Sequence, residues 1–186
     1  MEKRETAIEI PEHFRLLYGP DDVARRVKEI ADDISKDYEG KSVHLIGVLK
    51  GAAVFLSDLL RSLTVPATYD FLAVASYGDS TESSGVVRLI KDLDDPVESL
   101  DVIIVEDIVD SGLTLKYIEE MMRGRKVSSL KKCTFLDRPD RRKVRVEIEY
   151  VGFTIPDCYV VGYGLDCEHK WRQLRGIYAI NQPTQR

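Results

Sequence analysis

The stretch VIIVEDIVDSGLTL, residues 102–115, governs how the rest of the chain is read. Val102 to Val105 are four apolar β-branched residues in a row, the pattern of a strand buried on both faces. Glu106, Asp107 and Asp110 follow, then the small residues Ser111 and Gly112. Beyond them Leu115, Ile118 and Met122 recur at helical spacing. A strand that runs into a helix through small residues presents free backbone N–H groups, which is an anion site. The carboxylates have an ordinary explanation, because acids before a helix are favoured by its macrodipole and Asp110 or Ser111 would serve as the cap. Three of them beside an anion cradle, however, would repel a bare anion. They suit a ligand that brings hydroxyls or a hard cation along with its phosphate. A sugar phosphate with magnesium meets both conditions.

Working outward, the flanking sequence alternates strand and helix patterns. After YGP, Val23, Val27, Ile30 and Ile34 form one helical face, with Asp21 or Asp22 as the expected cap and Gly40 as the stop. SVHLIGVL reads as a buried strand, KGAAVFLSDLLRSL as helix, and ATYDFLAVAS and VVRLI as strands. SLKKCTFL, YVGFTI, YVVGYG and GIYAI are further strand candidates. This order predicts an α/β fold with a mostly parallel sheet, helices on both faces, and a ligand at the C-terminal ends of the strands. The polar, hydroxyl-rich segment YGDSTESSG, residues 77–85, is expected to be a mobile loop between two strands. The N-terminal arm and the NQPTQR tail are the expected fraying ends.

At 186 residues the chain suits one domain, 1–186. A composition of 44% hydrophobic and 32% charged residues excludes disorder and fibrous repeats. The net charge of -5 speaks against a protein whose whole surface grips nucleic acid. The local run RPDRRKVR is read as a solvated loop or subunit contact. Cys133, Cys158 and Cys167 suggest neither a disulfide framework nor a thiolate zinc site. His13, His44 and His169 lack metal-ligand spacing, and His44 sits in a strand pattern where packing is the commoner role. Nothing resembles a signal peptide or a membrane span, so a soluble cytoplasmic protein is expected.

Neither G-x-G-x-x-G nor G-x-x-x-x-G-K-[ST] occurs, which leaves a different kind of phosphate site. The opening stretch closely resembles the phosphoribosyl pyrophosphate signature of the purine phosphoribosyltransferases. More narrowly, GVLKGA, SYG, FLDRP and VGFTIPDCYVVGYGLD resemble the bacterial-type hypoxanthine (guanine) phosphoribosyltransferases, with matches from about Leu45 to Ile180. That resemblance implies a type I phosphoribosyltransferase fold with a small hood from parts of the N- and C-terminal segments and a mobile active-site loop. It also implies a homodimer or homotetramer and Mg2+ as cofactor.

By the same resemblance, Glu106 and Asp107 meet the ribose hydroxyls near magnesium, while Asp110, Ser111, Gly112, Leu113 and Thr114 wrap the 5'-phosphate. Asp110 is the implied general base or acid near the purine, a position from which a side chain can take the proton that leaves the attacking ring. Lys50 and Gly51 form the implied pyrophosphate loop, where the family can hold a cis peptide before the lysine. Arg172 matches a pyrophosphate arginine, suited by its fixed donor fork. Asp166 matches a second metal-side carboxylate at the purine end of the site. Ser76 and Tyr77 open the loop that closes over the reaction centre. Tyr159 matches an aromatic stacked on the purine, and Val160 a residue whose backbone reads its edge. Taken singly, Lys50, Asp166 and Arg172 would pass for solvated surface charges, and Tyr159 and Val160 for a strand pair.

One position departs from the family pattern: Arg138 in FLDRP stands where a lysine donates to the 6-oxo group. Arginine still donates to a carbonyl but is longer and planar. The expected reaction is transfer of a phosphoribosyl group to a 6-oxopurine. Two alternatives stay open at this point: a nucleotide- and RNA-binding regulator on the same fold, and a transferase for another base such as xanthine.

Overall fold

The computed structural model describes residues 8–77 and 86–180. Six strands form the main sheet: β2 (Val43–Leu49), β3 (Ala67–Tyr77), β4 (Val86–Lys91), β5 (Asp101–Val109), β6 (Ser129–Asp137) and β7 (Tyr150–Thr154). Their order is β4-β3-β2-β5-β6-β7, parallel throughout except for the antiparallel pair β3/β4. A second sheet of three antiparallel strands joins β1 (Phe14–Tyr18), β9 (Ile177–Ile180) and β8 (Tyr159–Val161). The sequence pattern assigns no strand to residues 14–18. Only pairing with β9, far away in the chain, makes FRLLY one.

Strand alternation sends successive side chains to opposite faces, and this divides the apolar residues into two cores. Leu45, Ile103, Val105 and Phe135 point to one side. There they meet α1 (Pro20–Asp37) and α2 (Ala52–Ser62). Ile46, Val102 and Ile104 point to the other side and meet Leu115, Ile118 and Met122 of α3 (Leu113–Gly124). Val102 to Val105 are all fully buried, each contributing about 1.5–3 kcal/mol by leaving water. The helices therefore lie on both faces, as the alternation of patterns predicts. Among the described residues no helix is long and apolar enough to cross a membrane.

Two expected helix caps differ in the structure. Gly19 caps α1, Pro20 takes the first turn, and Asp22 instead accepts the Gly19 N–H from inside that turn at 3.2 Å. Strand β5 runs on past Glu106 and Asp107 to Val109, and α3 is capped by Gly112 at φ 80° rather than by Asp110 or Ser111. A left-handed residue is needed to turn so sharply from strand into helix, and glycine adopts it without a Cβ clash. The carboxylates thus belong to the strand end and the turn rather than to the helix. The expected mobile loop falls largely on residues 78–85, outside the described residues; Tyr77 and Val86 pair across β3 and β4.

The strand order reverses between β2 and β5, since β3 lies to one side of that pair and β6 to the other. A crevice opens beyond the strand ends at such a reversal. The C-terminal ends of β2, β5 and β6 deliver Lys50, Glu106 to Asp110, and Arg138 to it.

Candidate active site

A cleft of about 450 Å³ opens at these strand ends. Lys50, Gly51, Glu106, Asp107, Asp166 and Arg172 line it, together with the whole turn from Asp110 to Thr114. The Leu49–Lys50 peptide bond is cis. Asp107 presses so closely on the next residue that a Cβ on Gly51 would lie 1.4 Å from its Oδ2, so only glycine fits. Ser76 and Tyr77 stand at the C-terminal end of β3.

The turn is held from outside. The Lys143 and Val144 N–H groups both donate to the Ser111 carbonyl, at 2.9 and 3.2 Å. Arg142 pairs with Asp137, and its side chain packs against Gly112. The basic run RPDRRKVR, expected as solvent-facing or a subunit contact, is in part a brace for the turn. The Leu113 N–H donates to Ser111 Oγ at 3.4 Å, and the N–H groups that follow it at the start of α3 have no carbonyl partner within the helix, which suits them to an anion.

A smaller cavity of about 250 Å³ adjoins the cleft, lined by Arg138, Tyr159, Val160 and Leu165. Asp107, Ile108, Asp110 and Asp166 line both spaces, so the two share a wall. Tyr159 is 40% exposed, and its hydroxyl donates to the Asp166 carbonyl at 3.2 Å, which leaves the ring face open. Val160 is buried behind it. The alternation of exposed Tyr159 and buried Val160 and Val161 is that of a strand at the rim of a pocket.

The charges are not independent. Arg138 takes both oxygens of Asp110, Nε to Oδ1 at 2.6 Å and Nη2 to Oδ2 at 2.5 Å. Its Nη1 donates to the Cys158 carbonyl. Arg172 pairs with Asp166 at 2.5 Å and donates to the Gly164 carbonyl at 2.6 Å. Burial pushes the Glu106 carboxyl well above the usual carboxylate range, and the charge of Asp107 adds to the effect. Burial likewise raises Asp107 to about 6, with Asp166 adding repulsion while backbone donors and Arg172 oppose it. Neither carboxylate makes an ion pair among the described residues, and the Arg172 charge only partly offsets the burial of Asp107.

By the resemblance, Glu106, Asp107 and Asp166 are the metal-side carboxylates. Among the described residues no three His, Cys, Asp or Glu side chains form a group able to hold a metal ion by themselves. These three therefore make no protein-only cage, because Asp166 is engaged with Arg172. Raised carboxylates beside a phosphate turn do fit a cation that arrives on its own phosphate ligands and keeps several waters, as magnesium does. The sequence pattern missed the Arg138–Asp110 ion pair, although both residues directly follow paired strand ends, Val109 facing Asp137 across β5 and β6.

Residues 20–168 match the family described as phosphoribosyl transferase domain. The chain belongs to that family. Among similar phosphoribosyltransferases, one from Bacillus subtilis named hypoxanthine-guanine phosphoribosyltransferase is 45% identical, over 89% of this chain and 92% of its own. One of the same name from Mycobacterium tuberculosis is 47% identical, over 89% and 85%. The crystal structure of a hypoxanthine phosphoribosyltransferase from Staphylococcus aureus superposes with a TM-score of 0.86 at 44% identity, over 89% of this chain and 90% of that one. The type I phosphoribosyltransferase fold expected from the opening stretch is thus present.

Proposed function

We propose that this protein is a purine-salvage enzyme that transfers the 5-phosphoribosyl group from phosphoribosyl pyrophosphate to hypoxanthine or guanine, giving IMP or GMP and pyrophosphate. The observation that carries this reading is the shared wall: Asp110 borders both the phosphate turn and the base pocket. The turn from Asp110 to Thr114 holds the 5'-phosphate with N–H and hydroxyl donors. Glu106 and Asp107 take the ribose hydroxyls, and Lys50, Gly51 and Arg172 the pyrophosphate. Tyr159 stacks on the purine, the Val160 backbone reads its edge, and Asp166 closes the pocket between base and ribose.

The purine nitrogen forms its bond to C1' as the bond from C1' to pyrophosphate breaks. The ring proton then passes to Asp110, an acid–base role that contributes about 10²–10⁴-fold. Glu106, Asp107 and Asp166 would hold magnesium only together with substrate oxygens, and the ion would there supply neutralisation of the leaving group's charge. Ser76 and Tyr77, at the end of β3, match the family's stretch beside the reaction centre, where exclusion of water suppresses hydrolysis of the activated ribose. The three-stranded sheet serves as the hood within a single domain, and the enzyme works in the cytoplasm as a homodimer or homotetramer.

Arg138, a donor-only side chain, favours 6-oxo over 6-amino purines because an amino group offers it no acceptor. It leaves xanthine as the closest competing base. Product formation should be measured from phosphoribosyl pyrophosphate with hypoxanthine, guanine, xanthine, adenine and uracil. Nucleotide from the first two and none from the last two is expected. No turnover with any base, together with salt-sensitive RNA binding, would replace this reading by that of a regulator.

A further inference from the structure

Arg138 lines the base pocket, but its donors are largely committed to the protein. Nε and Nη2 hold the two oxygens of Asp110, and Nη1 holds the Cys158 carbonyl with a longer contact to Asp157 at 3.5 Å. A guanidinium has five N–H groups, so with these made, one hydrogen on Nη2 is left for a base. The residue is only 6% exposed, and its pair with Asp110 is fork-shaped, unlike a surface ion pair. A carboxylate has about four lone-pair sites, two of which the fork occupies. The other two stay available, while the plane of the carboxylate is set by the plane of the guanidinium.

We propose that Arg138 is a positioning residue for Asp110 and only secondarily a contact to the base. It holds the proton acceptor in one orientation and ties it to the Cys158 carbonyl, directly before Tyr159, so that acceptor and pocket wall stay in register. The wall is itself braced, since Asp157 also accepts from Arg141 Nε at 2.6 Å. A single ammonium cannot hold both carboxylate oxygens in one plane, so lysine is a weaker substitute here. Misplacement of a reacting group by about 1 Å costs about 10²-fold in rate. This inference rests on the proposed role of Asp110 as proton acceptor.

The test is a double-mutant cycle of Arg138→Gln and Arg138→Lys, each alone and combined with Asp110→Asn. It reads kcat, KM for hypoxanthine and guanine, and the Kd of phosphoribosyl pyrophosphate with magnesium. Arg138→Gln is expected to lower kcat about 100-fold, with base KM rising less than about tenfold and the Kd unchanged. Arg138→Lys should lower kcat about tenfold, a partial rescue. With Asn at 110 either change should cost less than about threefold, because the group that Arg138 positions is already gone. Additive losses, or a rise in base KM with kcat intact, would overturn the proposal and leave Arg138 a base contact. Should Arg138→Gln lose phosphoribosyl pyrophosphate binding through misfolding, the Arg138→Lys pair decides by the same criterion. Full kcat in Asp110→Asn alone would instead remove the reading of Asp110 on which the inference stands.

Discussion

The phosphate cradle takes Glu106 to Thr114 from one unbroken run of chain, whereas the base pocket draws Asp110, Arg138, Tyr159 and Asp166 from separate segments. The cradle is a local object: a buried strand, a left-handed glycine and a helix start, joined in order along the backbone. The pocket exists only once β6 lies beside β5 and the small sheet brings β8 over the strand ends. Its central contact, Arg138 on Asp110, spans 28 positions of sequence. The local site needs outside elements only as braces, at Gly51 and at Lys143 and Val144, while the assembled one takes its functional side chains from every element that contributes to it.

The largest expected effect falls at the junction of the two halves. Asp110→Asn should lower kcat about 1,000-fold while leaving the Kd of phosphoribosyl pyrophosphate within a few-fold, because the rest of the cradle is intact. Single-turnover rates alongside binding would check this, and equal losses in both would assign Asp110 to the cradle alone. Gly51→Ala strikes the cradle first, through Asp107, which the base pocket shares. Its Cβ must displace Asp107, so KM for phosphoribosyl pyrophosphate should rise about 100-fold, with a smaller rise in base KM.

A third effect concerns the ligand-free, metal-free protein. Burial raises the Asp107 carboxyl to about 6 in the folded state, against 3.8 for a free aspartate. Between those values the folded state holds the proton that the unfolded state has released. Stability from this group is therefore complete below pH ~4 and lost as pH rises through about 6, by at most about 3 kcal/mol and less for the part that still reaches water. Asp107→Asn, which carries no charge at any pH, should stabilise the ligand-free protein at pH ~7.5 and flatten this dependence. Urea unfolding followed across that range would show it, and a variant no more stable than the parent would mean that the carboxylate is better solvated than its burial implies.

The smallest effect separates the pocket from the cradle. Beyond its roughly tenfold loss of kcat, Arg138→Lys should remain active on oxopurines but shift the ratios of kcat/KM among hypoxanthine, guanine and xanthine by a few-fold. Unchanged ratios for all three bases would remove Arg138 from contact with the base and leave it only its hold on Asp110.

The main elements were legible because burial leaves a one-dimensional trace. Val102 to Val105 read as a doubly buried strand, and Val23, Val27, Ile30 and Ile34 read as a helix face, since the periods 2 and 3.6 are properties of the backbone. The strand FRLLY was not legible, because its one partner among the described residues is the distant β9 and its burial is partial. Lys50, which is exposed, and Asp166 and Arg172, which are half-buried, carried no pattern of their own, and only the resemblance to a family singled them out.

Sequence by itself therefore determined the α/β alternation, a strand-to-helix turn through the small residues Ser111 and Gly112, and the concentration of carboxylates beside it. These follow from residues within one run of chain. The tertiary structure alone decided that Asp110 and Arg138 grip one another, that Asp107 leaves no room for a side chain at position 51, and that the basic run after Arg138 braces the Ser111 carbonyl. Each of those contacts depends on sheet order and register, set by the packing of the whole core and written in no single stretch of residues.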